Sequence, residues 1–69
     1  MRISARNQLK ATVSKITTGA VNAEVVLDIG NGQKLTSIIT NESVKSLGLA
    51  EGKSAYALIK ASSILIGVD

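Results

Sequence analysis

The stretch "VNAEVVLDIGNGQKLTSIIT", residues 21–40, decides the fold. Val21, Ala23, Val25, Leu27 and Ile29 share one face, and Asn22, Glu24 and Asp28 share the other. Alternation with period two marks a strand with one buried face. Asn31-Gly32 then supplies the residue pair best suited to a tight hairpin turn. The chain returns as "KLTSIIT", with Leu35, Ser37 and Ile39 opposite Thr36, Ile38 and Thr40.

Working outward, "QLKATVSKI" precedes this hairpin with its own alternation of Leu9, Ala11 and Val13 against Lys10, Thr12 and Ser14, and "TTGA" turns it into the next strand. After the hairpin, "TNESVKSLG" reads as a short helix. Thr40 or Asn41 can cap it, Glu42 complements its N-terminal dipole, and Gly48 can end it in the left-handed conformation. Val44 and Leu47 are expected to face the core. "LAEG" makes a turn, and "KSAYALIK" and "SSILIGV" supply two more strands. The predicted fold is all-β with one short helix. Its order, β-β-β-α-β-β, is that of an OB-like five-stranded Greek-key barrel.

With 69 residues the chain makes one domain, residues 1–69, without linker or internal repeat. A domain this small is marginal unless something staples it. The usual staples are absent, because the chain has no Cys and no His. Hydrophobic residues make up 45% of it, yet Tyr56 is its one aromatic residue. A second copy of the chain is therefore the expected stabilising partner. No apolar run approaches the length of a membrane span, and no secretory leader is legible at the N-terminus, so the expected location is the cytoplasm. The net charge of +3 suits an anionic partner, although a modest lysine excess also serves solubility.

Three short stretches place hydrogen-bond donors near strand ends. These are Ser4-Ala5-Arg6, then Thr40 with Ser43 at the helix entry, then Lys60-Ala61. A guanidinium fork, an ammonium, hydroxyls and free amides form a set dominated by donors. A fully ionised tetrahedral oxyanion has only acceptors and fits such a set. Each piece also has an ordinary reading. Thr40 can be a helix cap alone, Ser43 a helix-surface residue, Lys60 a solvated strand end, and Arg6 a partner for Glu42 or Asp69. Asn7 and Gln8 are left to fix the loop.

"SARNQL" at 4–9, "ITNESVKSLGL" at 39–49 and "EGKSAYALIKAS" at 51–62, with the "VNAEVVLDIGNG" hairpin, together resemble the molbindins, the small "Mop" molybdate-binding proteins. The resemblance covers nearly the whole chain. It implies an OB-like barrel assembled as a homohexamer, a trimer of dimers, with molybdate or tungstate held at subunit interfaces. Carried over by position, the ligands are Ser4, Arg6 and the Ala5 amide, then Thr40 and Ser43, then Lys60 and the Ala61 amide. Arg6 is expected from a different subunit than the helix-side groups. Asn22 is the candidate for a site on the threefold axis, its alternative being an exposed strand residue.

A carrier without catalytic groups is expected to store or buffer the anion, with no catalytic cofactor and no metal bound as a cation. Catalysis is not expected, since neither His nor Cys is present and Ser4 and Ser43 lack a general base other than Lys60. The competing reading is an OB-fold nucleic-acid module. Such modules stack bases on aromatic side chains, and Tyr56 alone is a poor platform.

Overall fold

The computed structural model describes residues 1–69. Four strands form one antiparallel sheet: β1 (Asn7–Thr18), β2 (Asn22–Gly30), β3 (Gln33–Thr40) and β4 (Ser54–Ile59), in spatial order β3-β2-β1-β4. One helix, α1 (Asn41–Ser46), follows β3, and a single 3₁₀ turn spans Ala61–Ser63.

The hairpin forms as the alternation requires. Val25 pairs with Ser37 and Leu27 with Leu35, and Gly30 meets Gln33 across the turn. Asn31 sits at φ 54 and Gly32 at φ 75, the left-handed values that a two-residue hairpin turn demands. Thr40 caps α1, its Oγ1 accepting the Ser43 N–H at 3.0 Å. Gly48, at φ 64, ends the helical segment as expected. Val44 packs against the core, but Leu47 does not: it is the C-cap residue and 67% exposed. With the helix ending at Ser46, the last turn no longer aims position 47 inward.

The sheet curls around Ala11, Val13, Val25, Leu27 and Ala57, with Ile16, Ile29, Leu35, Ile39, Val44, Leu49 and Ala55 against them. A bulge between Val13 and Lys15 bends β1. The connection after α1 holds that bend. Val13 N–H donates to the Lys53 carbonyl and Gly52 N–H to the Val13 carbonyl, each at 2.8 Å, and Glu51 Oε2 accepts the Ile16 N–H at 3.3 Å.

The expected five-stranded barrel does not form. The sheet has four strands and stays open between β3 and β4, its two edges. The "SSILIGV" segment forms no strand. The bonds Ser63 N–H to Lys60 O and Ile64 N–H to Ala61 O close a single turn and carry the chain off the sheet. Leu65, Ile66 and Val68 are 92%, 92% and 93% exposed. The physical reason lies in the segment itself. Ile64-Leu65-Ile66 is apolar on both faces, and a single small sheet has no second layer to cover it. Only six residues of the chain are buried, Ala11, Val13, Ala23, Val25, Leu27 and Ala57, so the core is small.

Candidate oxyanion site

β1 and β4 run antiparallel with Asn7 opposite Ile59. That register makes the residues just before β1 and just after β4 leave the sheet side by side. Ser4, Ala5 and Arg6 therefore meet Lys60, Ala61 and Ser62 around one open cup of about 560 Å³, floored by Ile3 and Leu58. Two side-chain bonds hold its rim. Asn7 Nδ2 donates to the Ile59 carbonyl at 3.2 Å, and Gln8 Nε2 donates to the Ala5 carbonyl at 2.7 Å. Asn7 and Gln8 thus fix the loop.

The chemistry of the cup is one-sided. Arg6 and Lys60 bring two cations, Ser4 and Ser62 bring hydroxyls, and no Asp or Glu lines it. Cations and hydroxyl donors without a facing carboxylate favour an anion that needs no proton acceptor. Ser62 was missed by the sequence reading. The signal was the run Lys60-Ala61-Ser62-Ser63, whose 3₁₀ turn brings position 62 back to the cup.

Thr40, Ser43 and Asn22 stand elsewhere. Thr40 pairs with Asn22 across β2 and β3, and β2 meets the far end of β1 through Ala23 and Thr18. β1 has 12 residues, and at about 3.3 Å per residue its two ends lie roughly 30 Å or more apart. Within one chain the expected ligands therefore form two groups at opposite ends of the sheet.

At this second end the hydroxyls serve the helix. Thr40 Oγ1 accepts the Ser43 N–H and donates to Ser43 Oγ at 2.8 Å. Asn41 ties the β1–β2 turn to the helix start: its Nδ2 donates to the Gly19 carbonyl at 2.9 Å and its N–H to the Val21 carbonyl at 2.8 Å. Asn41 Oδ1 is buried without a partner. Glu42 lies in the first turn of α1 and takes no part in the cup.

The TOBE domain profile matches residues 3–66, and the chain belongs to this family. Within it, the likeness to the Mop proteins is borne out. A probable molybdenum-pterin-binding protein of Haemophilus influenzae is 54% identical over 69 residues, covering all of both chains. The structure of MopII from Clostridium pasteurianum superposes with a TM-score of 0.90 at 48% identity, covering 97% of this chain and 100% of that one. The cytoplasmic molybdate-binding protein ModG, in a form with molybdate bound, gives a TM-score of 0.93 at 54% identity. That match covers all of this chain and 49% of ModG. The all-β fold with one short helix is shared with these molybdate-binding proteins.

Proposed function

We propose that this protein binds molybdate, and the similar tungstate ion, as a non-catalytic carrier that stores and buffers the anion in the cytoplasm. The observation that carries the reading is the cup itself: Arg6 and Lys60 with Ser4 and Ser62, and no carboxylate. The relatives named for molybdate or molybdenum-pterin binding support the choice of anion. Hydrogenphosphate keeps a proton near neutral pH and needs an acceptor in its site. No Asp or Glu lines the cup, so it offers phosphate no such acceptor.

Self-assembly is part of the proposal. The open seam between β3 and β4 is an apolar cavity of about 350 Å³, lined by residues such as Leu27, Ile39, Leu49, Ala55 and Tyr56. The exposed Ile64–Val68 segment has the apolar surface to fill such a seam on a second copy. A homohexamer built as a trimer of dimers would also bring the Thr40–Ser43 end of one subunit to the Arg6–Lys60 end of another. Asn22 remains the candidate for a threefold-axis site in that assembly.

The nucleic-acid reading has little to support it. Tyr56 is half-exposed at the seam rather than beside the cationic cup, and no second aromatic accompanies it. No helix is long and apolar enough to cross a membrane. Native mass spectrometry with and without molybdate tests the proposal, since it reports assembly size and anion stoichiometry together. Whole-number molybdate adducts on an oligomer support it; a monomer carrying no anion overturns it.

A further inference from the structure

We propose that Asn31-Gly32 is a self-modification site, at which the turn deamidates through a cyclic imide. The hairpin requires this pair, and the same pair carries the chemistry. Both residues are exposed, and around Gly32 there is open space where a side chain would stand. Gly32 lies between the strands, and its N–H enters no backbone hydrogen bond. The one side-chain bond in the turn is Asp28 Oδ1 accepting the Gly30 N–H at 2.8 Å, which leaves the Asn31 carboxamide free.

The step balances without a co-reactant other than water. The Gly32 amide nitrogen, losing its proton, attacks Asn31 Cγ. The Cγ–N bond of the carboxamide breaks and ammonia leaves, closing a succinimide. Water then opens the ring at either carbonyl, giving aspartate or isoaspartate at position 31. Each event adds one carboxylate, lowering the formal net charge from +3.

The other asparagines are built against this reaction. Asn7 and Asn41 have their side-chain amides hydrogen-bonded, and Asn22 sits in a paired strand. Their following residues, Gln8, Glu42 and Ala23, all carry a Cβ that crowds the attacking nitrogen. Position 31 is therefore the fast site. The isoaspartate product inserts an extra main-chain carbon between Asn31 Cα and Gly32, which the Gly30–Gln33 register cannot absorb.

The test is incubation of the full chain at mildly alkaline pH and 37 °C as a physiological temperature, followed by peptide mapping and isoaspartate-specific methylation. The expected result is a gain of about one dalton at position 31 ahead of positions 7, 22 and 41, with isoaspartate among the products. An Asn31 that stays intact while another asparagine converts overturns the proposal. So does conversion to aspartate alone, which marks direct hydrolysis without the ring. The Asn31→Gln variant, which lengthens the side chain by one carbon, should lose the fast phase.

Discussion

Asn7 and Ile59 face each other across β1 and β4, and Asn7 Nδ2 closes the pair by donating to the Ile59 carbonyl at 3.2 Å. This single relationship sets Arg6 beside Lys60, because each is the next residue outward on its own strand. The cup is thus a consequence of register. Asn7→Ala should keep the fold and loosen the cup. Losing one such hydrogen bond costs about 0.5–1.5 kcal/mol, so the molybdate Kd should rise roughly two- to tenfold. Equilibrium dialysis measures it, and an unchanged Kd would count against a positioning role.

Arg6 and Lys60 are expected to carry most of the affinity. Each supplies a charge-assisted donor worth about 1.5–3 kcal/mol, so Arg6→Ala and Lys60→Ala should each weaken binding roughly ten- to hundredfold. Both residues lie at the cup rather than in the core. Native mass spectrometry should therefore find the assembly intact in each variant. Unchanged affinity in both would sink the site assignment.

The tail beyond Ser63 should govern assembly. Replacing Leu65 and Ile66 by Asp puts two charges on a segment that is fully exposed in the isolated chain. A segment without a partner would tolerate that change. A segment buried against a second copy would not, since an unpaired buried charge costs several kcal/mol. Light scattering coupled to size exclusion should show a fall in molar mass, and a variant that assembles like the parent would contradict the seam-filling role.

Thr40 tests whether a hydroxyl serves the helix or the anion. Its cap contributes about 0.5–2 kcal/mol, and for a domain of this size each kcal/mol moves Tm by about 4–8 °C. Thr40→Ala should therefore lower the Tm of the anion-free protein, while Thr40→Ser, which keeps the capping oxygen, should largely restore it. Equal Tm values for all three proteins would show that the cap does little.

Much of this was legible in the sequence. Alternation from Val21 to Ile29 and the Asn31-Gly32 turn were enough for the central hairpin, and the Thr40 cap and Gly48 stop were enough for the helix. Local patterns determine such features, so a local reading finds them. The bend in β1 was not legible, because Glu51, Gly52 and Lys53 impose it from far along the chain. The last strand misled for a related reason: Ile64–Val68 has strand-like composition, but nothing in its own residues says where a pairing edge lies. Of the site, Ser4, Arg6 and Lys60 were found by their chemistry and do come together. Ser62 was hidden by a turn, and the distance to Thr40 and Ser43 by the length of β1.

The central claim is that a cup of donors without a carboxylate selects a fully ionised oxyanion. Competition dialysis tests it most directly, with the protein held against molybdate at micromolar concentration and an excess of phosphate. The account predicts that molybdate stays bound in the parent protein and is lost in Lys60→Ala. Displacement of molybdate by phosphate on equal terms, or no retained molybdate in the parent, would contradict it.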